Sequence, residues 1–391
     1  MFGVVTVDGV PAAFRCTDGS TGDSVTHIDT WNTLRTVADR PDFLYVADSK
    51  LCSYENMPYI HRAGGRFVTL MPRTRQEDGQ FRKWIQTQTP DWQLAWDRPN
   101  PRRRDGPRDR WYVFQPPVPS IEAWPITWLW STLLTLHHGA RRPRQISAAG
   151  EELETLHQRL IKAKARLRGA KEIDQRVEHI LERYHVGRYL KVQRVVRAEH
   201  SFKQTQRGRP GPHTAYRKIT RRRFDIEWSI DQAAVAYDEK SDGMYPLLSN
   251  DRRLTAVQIL EAHKGQPTIE KRFEQVKTVH EIAPVYLYNE GRIEALFTLY
   301  FLALLVQALI ERELRLAMKR DGLNELPIYP EQRDCRRPTA EQVLRLFSLA
   351  QRHRLTQAEH TVQLFDAPLT DLQRQVLILL NIPDPAYRAL A

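Results

Sequence analysis

The chain has 391 residues, room for a large core and more than one domain, since single domains run to roughly 100–200 residues. Its 59 Lys and Arg against 47 Asp and Glu give a formal net charge of +12 and a pI near 9.7, which favours a polyanionic partner. Three scattered cysteines, Cys16, Cys52 and Cys335, exclude a disulfide scaffold or a zinc cluster, and without a signal-peptide pattern a reducing cytoplasm is the expected location.

MFGVVTV reads as a buried strand, Asp8-Gly9 as a turn and VPAAFRCT as the return strand of a hairpin. GSTGDS opens a helix capped by Asp23 or Ser24, with Ile28, Trp31, Leu34 and Val37 at helical spacing. FLYVAD is a strand closing on Asp48, SYENMPYIHRAG a helix, and RFVTLMP (66–72) a further strand. This β-β-α-β-α-β order describes a mixed sheet with covering helices, an α/β fold.

From 73 to 225 the composition turns to Trp, Pro and Arg. RWYVFQPP and PITWLWSTLLTL fit short strands or a helix equally. In 151–184, Leu153, Leu156, Leu160, Leu167, Ile173, Val177, Ile180 and Leu181 form an interrupted apolar stripe: one long helix, or a pair broken at Gly169. YLKVQRVV is followed by a polar stretch with Gly-Arg-Pro-Gly-Pro (208–212), and then FDIEWSID and AAVAYDE, both of strand character. Basic runs crowd this region: 98–110, 141–144, 162–168 and 203–223. A charge run is usually a solvated face, but four in one segment point to a nucleic-acid surface. The tryptophans (Trp84, Trp92, Trp96, Trp111, Trp124, Trp128, Trp130) more often fill a core than stack on flipped bases. His61 and His137-His138 lack metal-ligand spacing.

MYPLLSN (244–250) is again a strand, and the helix after it begins with Thr255 and Gln258 in capping-box spacing, to be stopped by Gly265 and Pro267. Pro267 opens the next helix, where Ile269, Phe273 and Val276 make the buried face. Glu270 and Lys277 lie two turns apart, so one carboxylate and one ammonium share a face. With Asp48 far upstream, the carboxylates suggest a divalent-metal site for phosphoryl transfer. IEALFTLYFLALLVQALI (293–310) imitates a membrane span, but with Glu294 and Gln307 inside it reads as a buried core helix, so no membrane partner is expected. The tail beyond it reads as largely helical.

These blocks resemble the DDE transposases of bacterial insertion sequences, in the group with a Tyr-x2-Arg-x3-Glu-x6-Lys signature. Here the window is His263-x2-Gln266-x3-Glu270-x6-Lys277, so Glu and Lys match while Tyr and Arg are replaced. GVPAAFRCTDGSTGDS is similar to the family's hairpin and turn, with Ser20 departing and Asp23 matching. VADSKLCSYENM resembles its second-aspartate segment, SDGMYPLLSND the strand before its third acid, and APVYLYNEGRIEALFTLYFLALLVQALIERELR its C-terminal helices. The resemblance implies an RNase H-like core split by a large insertion. Residues 1–75 would open that core, 76–225 would form the basic insertion, 226–310 would complete the core and carry Glu270, and 311–391 would be a helical region. It implies Mg²⁺ (or Mn²⁺) held by Asp48 and Glu270, and a phosphate contact from Lys277. Arg102, Arg103, Arg104, Arg221, Arg222 and Arg223 are the further expected DNA contacts. Expected partners are transposon terminal inverted repeats, target DNA, a second copy in a homodimer, and a complementing N-terminal fragment.

The family's first aspartate lies on a central strand ahead of the hairpin that begins here at Met1. Asp8 falls in the hairpin turn instead, and Asp23 is accounted for as a cap. The expectation is therefore a core lacking its first strand, with two apolar strand edges exposed and catalysis impaired. A DNA-binding remnant and a metal-dependent nuclease of the same fold remain the alternatives.

Overall fold

The computed structural model describes the chain except residues 1, 7, 17–21, 104, 163–168, 266–271, 273, 275–285, 358, 359, 367 and 384–391. A six-stranded sheet sets side by side, in spatial order, Leu44–Ala47 (β3), Arg66–Leu70 (β4), Met244–Ser249 (β10), Ile126–Ser131 (β7), Asp109–Phe114 (β6) and Gln93–Arg98 (β5). The β10–β7, β7–β6 and β6–β5 neighbours are antiparallel. The chain divides into one unit of residues 1–68 with 261–391 and another of 69–260, the boundary falling within β4. The chain is thus α/β, as the strand and helix order predicts.

The first unit opens with the expected hairpin, Phe2–Val5 (β1) against Pro11–Arg15 (β2), turning at Gly9 with φ of 87°. Glycine takes that left-handed backbone without the clash a Cβ would bring. Helix α1 (His27–Ala38) follows a short 3-10 turn, Asp23–Thr26. The cap positions fall on Gly22 and Thr26, with no side-chain capping bond at either, so the expected cap from Asp23 or Ser24 is not at either start. Trp31 and Leu34 are buried and Val37 is exposed. Helix α2 (Asn56–Arg62) buries Met57 and Ile60.

The second unit settles the region that sequence left open. RWYVFQPP supplies β6, and PITWLWS supplies β7, which runs straight into helix α4 (Thr132–Leu160), capped by Ser131 accepting from the Leu134 N–H. Helix α3 (Gln76–Trp84) precedes them. Helix α5 (Ala170–Arg183) starts after Gly169, so 151–184 is the broken pair rather than one helix. Leu153, Leu156, Leu160, Ile173 and Ile180 form the core between the two. Trp111, Trp124 and Trp128 are buried, and Phe81 stacks on Trp128 at 3.6 Å. These tryptophans are core, as their bulk predicts.

Three expectations are corrected. AAVAYDE is helix α6 (Gln232–Glu239), not a strand: Asp231 accepts from the Ala234 N–H as its cap, and alanine favours a helix once a cap starts one. The tail is not all helical, because Arg352–Gln357 (β11) and His360–Asp366 (β12) pair as a hairpin between α9 (Ala340–Leu346) and α10 (Asp371–Leu379). The apolar segment 293–310 belongs to α8 (Glu290–Arg320), yet only 11% of its most apolar eighteen residues are buried. Leu299, Leu302, Val306 and Leu309 are exposed. Its C-terminal half does pack, through Leu314, Ala317 and Met318 against Val343 and Val376. Hydropathy counts apolar residues on every face, whereas packing supplies neighbours to one. Among the described residues α8 is the one helix long and apolar enough to cross a membrane.

Candidate nucleic-acid interface

The strongest feature of the second unit is a ribbon of two fifteen-residue strands, Leu190–Gln204 (β8) and Tyr216–Ile230 (β9), paired in unbroken antiparallel register. Valine, isoleucine and aromatic residues along both runs favour extended backbone. The Gly-Arg-Pro-Gly-Pro stretch lies in the loop that joins them, where the Thr205 N–H donates to the Ala215 carbonyl at 3.0 Å. The base is anchored, because Leu190 and Ile226 are buried in the α4–α5 core. Asp225, also buried, makes 2.6 Å contacts with His157 of α4 and with Arg197 across the ribbon.

Beyond that anchor the ribbon is exposed. From Val196 to Gln204 it extends about 30 Å at roughly 3.3 Å per residue. Directly opposite residues of an antiparallel pair share a face. One face therefore carries Arg197, Glu199, Ser201 and Lys203 with Arg223, Arg221, Ile219 and Arg217. The other carries Ala198, His200, Phe202 and Gln204 with Arg222, Thr220, Lys218 and Tyr216. Two of the face-one cations are committed: Arg197 to Asp225, and Arg223 to Glu199 at 2.8 Å. Lys203, Arg217, Arg221, Lys218 and Arg222 are exposed and make no ion pair among the described residues. On the second face Phe202 is 67% and Tyr216 51% exposed, so apolar rings stand beside cations. Nearby, His200 Nδ1 lies 3.0 Å from the Thr220 hydroxyl.

The predicted DNA contacts divide accordingly. Arg221 and Arg222 extend to opposite faces of the ribbon, and Arg223 is half-buried in its ion pair. Arg102 and Arg103 are exposed in the β5–β6 loop, where both backbone N–H groups donate to Asn100 Oδ1, at 2.9 and 3.1 Å. Arg104, Glu270 and Lys277 lie outside the described residues. Sequence reasoning found the 203–223 basic run but missed the pairing that adds Arg197 to it and presents Phe202 and Tyr216. A turn-rich stretch between two β-prone runs was the available signal.

Asp48 belongs to the first unit, at the C-terminal end of β3 as predicted. It is exposed, and its carboxylate accepts the Lys50 N–H at 2.9 Å, an Asx-type turn that starts the loop. A hard divalent cation takes oxygen donors, and a strand-end carboxylate in this position has the right chemistry. Among the described residues no group of three His, Cys, Asp or Glu side chains gathers to hold a metal. Asp8 is tied to Arg312 of α8 at 2.5 Å and is a structural residue of the hairpin turn.

Comparison with known protein families and with curated proteins finds no match to this chain.

Proposed function

We propose that this chain is a DNA-binding protein of the insertion-sequence transposase type, which engages DNA through the β8–β9 ribbon. The observation that carries the reading is the ribbon itself: five exposed cations with no ion pair among the described residues, and two exposed aromatic rings, on an arm whose base is buried in the α4–α5 core. A two-stranded ribbon fits the major groove, and exposed cations are available to displace counterions from phosphates. In this reading residues 1–75 and 226–310 form the RNase H-like core. Asp48 and Glu270 are the residues that would hold Mg²⁺, which when bound supplies Lewis-acid stabilisation of phosphoryl oxygens. Lys277 adds a point charge for a phosphate.

A second reading, DNA binding without cleavage, is favoured by the hydrogen bond that Asp48 already accepts from Lys50. Fluorescence anisotropy with a labelled duplex of about 30 base pairs, between about 50 and 200 mM salt, tests what the two readings share. Replacing Arg221 and Arg222 by Ala is expected to reduce the salt slope by about 1.8, roughly 0.9 for each phosphate no longer neutralised. A flat salt dependence, or an unchanged slope in the variant, refutes ribbon binding. Mg²⁺-dependent strand transfer that Asp48→Ala abolishes supports the transposase; binding without any strand cleavage supports the second reading.

A further inference from the structure

We propose that the loop joining β8 to β9 reads A·T-rich DNA through the minor groove, with Arg207 and Arg209 as the reading side chains. This rests on DNA binding by the ribbon: the ribbon supplies affinity, and the loop adds a preference for sequence. The segment is Arg207-Gly208-Arg209-Pro210-Gly211-Pro212, at the far end of the ribbon from its buried base. Its ends are closed where Thr205 donates through its N–H and its hydroxyl to the Ala215 carbonyl, at 3.0 and 2.9 Å. Beyond Pro210 the Gly211 N–H donates to the Thr214 hydroxyl at 2.7 Å and the Thr214 N–H to the Gly211 carbonyl at 3.0 Å, which fixes a small turn. Residues 205–213 are all exposed, and Arg207 and Arg209 make no ion pair among the described residues.

The chemistry of the segment identifies the surface it reads. The minor groove of B-DNA, about 6 Å wide, takes a single narrow peptide rather than a paired ribbon. On its floor A·T pairs present only acceptors, adenine N3 and thymine O2, whereas a G·C pair adds the guanine amino group, a donor. A guanidinium carries donors alone, so guanine sets donor against donor. A·T tracts also narrow the groove and strengthen its negative potential, which draws arginine into it. Arg207 and Arg209 are two residues apart, about 6.6 Å along extended backbone at roughly 3.3 Å per residue, close to two base-pair steps of about 3.4 Å each. Gly208 between them has a φ of 148°, and a Cβ added there would meet nothing within 4 Å, so backbone freedom rather than packing calls for glycine. Lacking a side chain, it also lets the peptide lie close to the groove floor. Pro210 biases Arg209 towards extended backbone, and the two prolines reduce the entropy lost when the loop is ordered on DNA. Duplex RNA has a wide, shallow minor groove that would not grip the same segment.

The test is fluorescence anisotropy of the full chain with three labelled DNA duplexes of about 30 base pairs, alike except for a central run of about six pairs that is A·T, G·C or inosine·C. Inosine lacks the guanine amino group, so its pair matches A·T in the minor groove while keeping the G·C pattern in the major groove. The A·T and inosine·C duplexes should bind about tenfold more tightly than the G·C duplex. Arg207→Ala with Arg209→Ala should remove that preference and leave the salt-dependent binding of the G·C duplex in place. Gly208→Val, which keeps both arginines, should remove it as well. Equal affinity for all three duplexes with the salt dependence intact overturns the loop reading and leaves ribbon binding standing. A preference for A·T that inosine·C does not share overturns it by moving the readout to the major groove. It is also overturned by a preference that survives in the Ala variant, or by tighter binding of an RNA duplex of the A·T sequence. Binding to none of the duplexes refutes ribbon binding and this proposal together.

Discussion

Replacing Arg75 by Met should cost the second unit about 3 kcal/mol near neutral pH. The Arg75 guanidinium is 8% exposed and donates to Glu77 at 2.6 and 3.2 Å and to Glu122 at 2.8 and 2.9 Å, each carboxylate being 13% exposed. It ties the start of α3 to the loop before β7. Burial alone would raise the Glu77 carboxyl, but the Arg75 hydrogen bonds and the Ile121 N–H outweigh it and hold it at about 2, against an ordinary 4.5. A depression of that size is worth about 3 kcal/mol, and solvent screening at this partly covered site reduces it to about 2. Glu122, also lowered against its burial by Arg75, would be stranded too and adds the remainder.

The sign follows from the depressed value. Glu77 contributes stability that is fully present above about pH 4.5 and is lost as pH falls through about 2. In Arg75→Met both carboxyls take up protons more readily, so the gap between variant and parent should shrink on acidification. Urea unfolding followed by circular dichroism, near pH 7 and again near pH 3, measures both quantities. Adding Glu77→Gln and Glu122→Gln should recover most of the loss, since stranded charge causes the penalty. A variant within about 0.5 kcal/mol of the parent at neutral pH, or a gap that does not change with pH, refutes the reasoning.

Gly243→Ala should destabilise by about 2–4 kcal/mol in thermal unfolding, because its φ is 77° and an added Cβ would meet the Ser131 carbonyl at 2.5 Å and the Thr135 hydroxyl at 2.2 Å. Thr255→Ala should cost about 1 kcal/mol, since at the start of α7 (Ala256–Lys264) the Thr255 hydroxyl accepts the Gln258 N–H at 3.3 Å while the Gln258 side-chain oxygen accepts the Thr255 N–H at 2.9 Å. Burial, with Lys264 adjacent, lowers the His263 imidazole to about 4. The unfolded chain therefore binds that proton first, and stability should fall as pH drops from about 6.5 towards 4, by up to about 1.4 kcal/mol per pH unit. His263→Gln should flatten that limb of the pH–stability curve.

Local rules written in adjacent residues were legible without coordinates. Asp8-Gly9 between two apolar runs specifies a hairpin, Thr255 and Gln258 specify a cap, and FLYVAD ends with Asp48 at a strand terminus. Each depends on interactions within a few residues, which side-chain chemistry sets directly. Pairing between distant segments decided the rest. The β10 strand enters the sheet between β4 and β7, and no periodicity in 244–249 names those neighbours. The basic composition of 203–223 was plain, but only the β8–β9 register assigns Arg221 and Arg222 to opposite faces and spends Arg223 on Glu199. Likewise, 293–310 has the composition of a buried helix, yet burial depends on what the rest of the chain brings against each face, and there Leu299 and Leu302 stay exposed. Sequence determined the turns, caps and charged runs and the segments whose signals lie within a few residues, because those are local free energies. Only the tertiary structure decided which of them meet, because that depends on closing long loops and on shape complementarity between surfaces far apart in the chain.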